Sequence, residues 1–501
     1  MRSSLIVRSS RFAAGLSFVA SLSLLSTAVH AQTISERQRG DANRLIDAAL
    51  ADSAGYARLA TLTDRFGHRL SGSQPLEDAI TWILEGMRRD GLANVRGEPV
   101  VVPHWVRGEE SATLVSPRSA PLHMLGLGMS VGTPAAGITA PVLVVGSFAE
   151  LEKRAAEAKG KIVLFDYPFP AGVEALAGYS EAVAYRGGAP AAAAKAGAVA
   201  TLIRSVASFS IQSPHTGSTR YDPAVARIPA AALSVEDAEM LHRMAVRGEK
   251  IVVTLKMRAQ TLPDAQSRNV VAELRGSTKP DEVVVLGGHI DSWDVGQGAQ
   301  DDGSGIMGTL AAVNVIKKMG LHPKRTIRVV FWVNEENGGA GGIAYRKGLT
   351  EAQLANHVAA IEMDGGAEAP VGYGFGVNGS PRRLKPGETP STTAPVLTPG
   401  EEHSLVMLRQ IASLLTPVGA DKIKQGGGGS DIEPLMMDGV PSLGETTTGA
   451  HYFDWHHTEA DTLDKVDPQD FRKNVASLAV MTYILADMPE RLTGHKGASE
   501  E

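Results

Sequence analysis

Between residues 40 and 92 apolar positions recur with a helical period. Leu76, Ile80, Ile83 and Met87 are spaced four, three and four apart, which puts one apolar stripe on a helix that faces a core. The texture then changes. From about 113 to 262, short apolar runs such as "APVLVVG", "GKIVLFD", "AVATLIRS" and "IPAAALS" are separated by Gly, Pro and alanine-rich stretches, the pattern of a small strand-rich unit with helices. Beyond it, strand and helix periods alternate. Strands are expected at "EVVVLGGH", "TIRVVFWVN" and "HVAAIEMD", and helices from about Gly303 to Met319, near 341–348, near 402–415 and over 468–487. Ile306, Leu310, Val313 and Ile316 supply a sheet-facing stripe on the first of these helices. This order predicts an α/β fold with a mixed, mostly parallel sheet flanked by helices, interrupted by the smaller β-rich unit.

At 501 residues the chain is too long for one ordinary core. Its first 31 residues read as a cleavable export leader. Arg2, Arg8 and Arg11 precede the apolar stretch "FAAGLSFVASLSLLSTA", which ends at "VHA" before Gln32. Removing three arginines and no acids moves the formal net charge from −6 to −9, which argues against nucleic acid as a partner. No later segment reads as membrane-spanning, so no membrane partner is expected after cleavage. The chain has no cysteine, so any metal must sit on His, Asp or Glu. Export without disulfides suits a secreted or periplasmic protein.

The stretch "GGHIDSWDVGQGAQDDGSG", residues 287–305, sets one histidine and four aspartates among six glycines directly after an apolar strand. In "H-x-D", His289 can face a metal while Asp291 holds its other ring nitrogen. In "GAQDDGSG", Asp302 can cap the following helix, and Asp301 is the better candidate for a carboxylate spanning two cations. "VNEENGG" puts Glu335 beside Glu336, an adjacency that burial would penalise unless a dication were near. One of the two can then ligate and the other take a proton. Asp364 ends another apolar strand, and "DWHHTEADT" adds His456, His457 and Asp461. His289 with Asp291, Glu335 with Glu336, and Asp364 each follow an apolar strand, where open α/β sheets bind ligands. This donor chemistry favours zinc or another divalent first-row ion. Two further segments stay open or bland: "KQGGGGSDIEP", residues 424–434, reads equally as a loop near substrate or a surface connection, and His215 in "SPHTGSTRY" reads as a loop residue.

H-x-D, G-A-x-D-D-G-S-G, N-E-E, a strand-terminal Asp and H-T-x-x-D-T, in this order, resemble the co-catalytic zinc aminopeptidase family, most closely its carboxypeptidase Q branch. The resemblance spans essentially the mature chain. It implies a leader at 1–31, a peptidase domain over 32–112 and 263–490, a protease-associated domain at 113–262 and a tail at 491–501. It further implies two Zn2+ per chain. Asp301 would bridge them, His289 and Asp364 would hold one, and Glu336 and His457 the other. Glu335 would be the general base, Asp291 would orient His289, and the Asp301–Asp302 peptide bond would be cis. His456 competes with His457, which is preferred because it directly precedes the Thr of the H-T pattern. The implied activity is hydrolysis of dipeptides or short peptides near a free terminus, by a homodimer. A glutaminyl cyclase-like acyltransferase and a non-catalytic peptide-binding homologue are the alternatives that the same fold supports.

Overall fold

The computed structural model describes residues 34–170, 175–376 and 397–494; the expected leader and the end of the expected tail lie outside the described residues. Among the described residues, no helix is long and apolar enough to cross a membrane. The chain builds two eight-stranded sheets. The first consists of β1 (Ala93–Val106), β2 (Gln260–Leu274), β3 (Lys279–His289), β4 (Arg325–Trp332), β5 (His357–Glu362), β6 (Pro370–Phe375), β7 (Lys422–Gln425) and β8 (Ser442–Thr447). Their order is β1-β2-β4-β3-β5-β8-β6-β7. β4, β3, β5 and β8 form one parallel run; β2 pairs antiparallel with both β1 and β4, β6 pairs antiparallel with β8, and β7 pairs parallel with β6.

The central strands are apolar on both sides because both faces are covered. On one face Val284, Leu286, Ile327, Val329 and Ile361 join Ile306, Leu310, Val313 and Ile316 of the helix Ser304–Lys318, with Val475 and Leu478 of the helix Pro468–Asp487. On the other, Val283, Val285, Val330 and Trp332 pack against Tyr345, Leu354 and Leu435. The period of two along a strand divides neighbouring valines between two cores.

The three expected central strands and the helices near 303–319, 341–348 and 468–487 fall where the pattern puts them, at Ser304–Lys318, Ala340–Gly348 and Pro468–Asp487. The helix expected near 402–415 starts earlier, at Pro399. Thr398 forms a capping box with Glu401, and a proline in the first turn gives up no hydrogen bond. It ends at Ala412, where a 3-10 turn, Ser413–Val418, takes over. The long β1–β2 ladder is not foreshadowed by the periodicity. β1 carries Gly97, Pro99 and Pro103 and lies at the sheet edge, where prolines are tolerated.

The second sheet lies within residues 110–257. It packs an alanine-rich core, including Ala200, Ala230, Ala231 and Ala232, and carries the helix Ala175–Lys195. Residues 98–106 and 260–269 of the β1–β2 ladder form the two-stranded ribbon that leads the chain out to this sheet and back.

Candidate metal centre

Parallel neighbours end at the same edge, so β4, β3 and β5 deliver their C-terminal residues to one place. β3 brings His289, the turn after β4 brings Glu335 and Glu336, and the turn after β5 brings Asp364. Asp301 comes from the tight turn Ala299–Gly303 that starts the helix Ser304–Lys318, and its peptide bond to Asp302 is cis. His456 and His457 follow the short helix Tyr452–Trp455.

The two oxygens of Asp301 face different imidazoles. Oδ1 lies 3.1 Å from Nε2 of His289, and Oδ2 lies 3.1 Å from Nε2 of His457. Asp364 Oδ1 is 3.4 Å from Nε2 of His289, and Glu336 Oε2 is 3.0 Å from Nε2 of His457. Three overlapping groups could therefore hold a cation: Asp301 with His456 and His457; His289 with Asp301 and Glu336; and His289 with Asp302 and Asp364. The oxygens of Asp302 are already engaged. Oδ2 accepts from the N–H of His289 and Oδ1 from the N–H of Gly305, so it caps the helix and steadies the β3 terminus. A Cβ on Gly288 would overlap this carboxylate, which is why glycine stands there.

His456 keeps its place as a competitor. Its Nε2 is 3.4 Å from Asp301 Oδ2, its ring stacks on that of His457 at 3.6 Å, and its Nδ1 is buried without a hydrogen-bond partner. Nδ1 of His457 lies 3.2 Å from Nη1 of Arg186.

Burial and charge act in opposition here. Burial pushes the Glu336 carboxyl up, as does the charge of Asp301, to about 8 against the pull of His457. Burial likewise raises Asp364, to about 6, although His289 opposes it. Burial would also raise Asp301, but the imidazoles of His289 and His457 outweigh it and hold that carboxyl well below its usual range. Burial works against the charge of His457, yet Glu336 and Asp301 carry it up to about 9. An unneutralised cluster of this kind is costly, and a dication would reverse the balance.

The expected role of Asp291 meets a different geometry. Its backbone carbonyl, 3.0 Å from Nδ1 of His289, accepts from that ring, while its carboxylate stays 3.9 Å away. The carboxylate instead accepts from the N–H groups of Asn334 (2.7 Å) and Glu335 (3.1 Å) and from the hydroxyl of Ser71 (3.2 Å). The turn after β4 has its own strands' hydrogen bonds behind it, and a buried carboxylate supplies the acceptors its N–H groups lack. Asp291 therefore fixes the backbone that presents Glu335. Glu335 itself is half-buried and lies close enough to raise the carboxyls of Asp364 and Asp291, after burial and His289 have acted on both.

Other groups brace the Asp301 turn. Asp461 accepts from the N–H groups of Ala299 (3.1 Å), Gln300 (2.7 Å) and Asp301 (3.2 Å). Arg69, fully buried, donates to the carbonyls of Gly67, Ile290, Gln297 and Gly298 and so ties the β3 terminus to the same turn. No local pattern marks Arg69; only the folded chain brings it there.

The second sheet also reaches the centre. His215 lies in a loop, as expected, and is buried there, and burial pushes its imidazole down to about 3. The N–H of the next residue, Thr216, donates to the carbonyl of His457 at 3.0 Å. Tyr179 stacks on Phe453 and meets His456 edge-on. The glycine run at 426–429 packs closely against Gly374, Gly444 and the Glu362 carboxylate, which accepts from the N–H groups of Asp431 and Ile432. It lies beside the strand end that bears Asp364.

Buried imidazoles and carboxylates crowded at the carboxyl edge of a parallel sheet are the makings of a metal-dependent hydrolase. Residues 269–482 match Peptidase family M28. The chain is 45% identical over 442 residues to carboxypeptidase Q of Bos taurus, covering 88% of this chain and 87% of that protein. It is 34% identical to the crystal structure of a peptidase M28 precursor from Shewanella amazonensis, with a TM-score of 0.82 over 91% of this chain and 98% of the other. BSAP, a zinc aminopeptidase from Bacillus subtilis, shares the fold at 19% identity, with a TM-score of 0.60 over 87% of this chain and 94% of the other. The chain belongs to Peptidase family M28 and is a metallopeptidase.

Proposed function

We propose that this metallopeptidase is a secreted or periplasmic dizinc exopeptidase that hydrolyses dipeptides or short peptides next to a free terminus. The observation that carries the reading is the Asp301 carboxylate, held between the imidazoles of His289 and His457 at 3.1 Å each. The donors fit the metal: nitrogen and oxygen ligands without thiolate, a carboxylate shared by two half-sites, and a buried Glu336 Oε1 with no hydrogen-bond partner. His289, Asp301 and Asp364 would hold one ion, and Asp301, Glu336 and His457 the other. Relatives named carboxypeptidase Q and zinc aminopeptidase support both metal and reaction. The leader pattern supports export. The same resemblance makes residues 113–262 a protease-associated domain and the assembly a homodimer.

Bound zinc supplies polarisation of the scissile carbonyl and a water made nucleophilic at neutral pH. Glu335 takes the proton of the attacking water as its oxygen bonds to the carbonyl carbon. It returns that proton to the amine nitrogen as the C–N bond breaks. Asp291 holds the Glu335 backbone for both transfers. Glu335→Ala should lower kcat on a dipeptide by about 10³-fold or more with the metal content unchanged. Undiminished hydrolysis would remove Glu335 from the mechanism. Pyroglutamate formation from N-terminal Gln peptides by the wild type, in place of hydrolysis, would make it an acyltransferase.

A further inference from the structure

Among the described residues, Arg186 has no acidic partner. It lies on the helix Ala175–Lys195 of the second sheet's domain, with its guanidinium over the Tyr179 ring, 5.6 Å from the centroid. Nη1 is 3.2 Å from His457 Nδ1 and 3.5 Å from the carbonyl of Thr216, and Nε is buried with no hydrogen-bond partner. Its titratable neighbours on this side are Tyr179 and imidazoles: it acts electrostatically on Tyr179, His215 and His456 and touches His457. Among the described residues, no carboxylate comes within ion-pairing distance. Arg107 pairs with Asp294 and Arg204 with Asp166. The fold makes room for this placement, since a Cβ on Gly217, at φ +132°, would overlap the Arg186 guanidinium. Arg186 is half-buried, and a partly shielded guanidinium with no acidic partner offers planar donors that match a carboxylate.

We infer that Arg186 receives the free carboxylate of the substrate, at the end of the residue whose amine leaves, and so makes the enzyme selective for peptides cut one residue from their C-terminus. This rests on the exopeptidase reading and deepens it. The residue would be supplied to the reaction centre of one sheet by the domain of the other. A hydrogen-bonded guanidinium–carboxylate pair in a partly buried site gives discrimination of about 100-fold.

The test compares alanyl-leucine with its C-terminal amide, using the wild type, Arg186→Gln and Arg186→Lys, with zinc content measured in each. The wild type should favour the free acid by about 100-fold in kcat/KM, chiefly through KM. In Arg186→Gln the free acid should fall to the level of the amide, and Arg186→Lys should recover part of the preference. Wild-type rates that are equal on acid and amide would overturn the inference and leave a peptidase. So would a ratio left intact in Arg186→Gln, or an equal loss on both substrates. If Arg186→Gln loses zinc, the wild-type ratio and Arg186→Lys decide. Failure of the wild type to hydrolyse either compound would instead defeat the exopeptidase reading.

Discussion

The two sheets have the same number of strands but meet the candidate centre in different ways. The first presents strand ends: His289, Asp364 and the Glu335–Glu336 turn sit where parallel strands stop, so their separation is set by the ladder itself. The second offers no strand end. It approaches through a helix and a loop, with Arg186 beside His457 and the Thr216 N–H on the His457 carbonyl. A ladder fixes positions more firmly than a loop does, which suits metal donors. A looser approach suits groups that must admit a substrate.

That contrast can be sharpened by cutting each side's support. Asp461→Ala removes the acceptor shared by three N–H groups of the Asp301 turn, on the side of the first sheet. Metal affinity should drop about 10- to 100-fold, measured by competition with a chelator. An unchanged affinity would show that the turn holds itself. Arg107→Ala breaks the link toward the second sheet. Arg107 donates to both oxygens of Asp294, at 2.9 and 2.6 Å, and to the hydroxyl of Thr216. Asp294 lies in the loop that follows β3 and keeps some exposure, so the loss of stability should be about 2–3 kcal/mol, seen in denaturant unfolding. Metal affinity should change by less than about threefold. A drop as large as that of Asp461→Ala would make the second sheet an equal partner in holding the centre.

The sequence made some of this visible and hid the rest for physical reasons. Central parallel strands are buried on both faces, so "VVVLGG" and "VAAI" read as unbroken apolar runs, and the acids that follow them stand out. The antiparallel β1–β2 ladder does not stand out. It is half-exposed, punctuated by proline and glycine, and its pairing partner is more than 150 residues away. At the centre, His289, Asp301, Glu336, Asp364 and His457 each sit in a short motif of their own, and the order of those motifs along the chain carries the resemblance that groups them. Arg69 and Arg186 were not. Each acts on groups that are distant along the chain, and nothing in their own neighbourhood marks them. His215 shows the limit of local reading: its surroundings mark a loop, but only the folded chain shows that this loop is buried against the segment that holds His456 and His457. Asp291 shows another, since spacing alone does not reveal whether a carboxylate or a backbone carbonyl meets the histidine ring.

The most direct test of the shared Asp301 carboxylate is zinc stoichiometry, by native mass spectrometry of metal-free protein titrated with zinc, for the wild type and Asp301→Ala. The wild type should take up two ions per chain and the variant should hold neither tightly, with turnover lost by about 10⁴-fold or more. One ion per chain in a fully active wild type, or two tightly held ions in Asp301→Ala, would contradict the account.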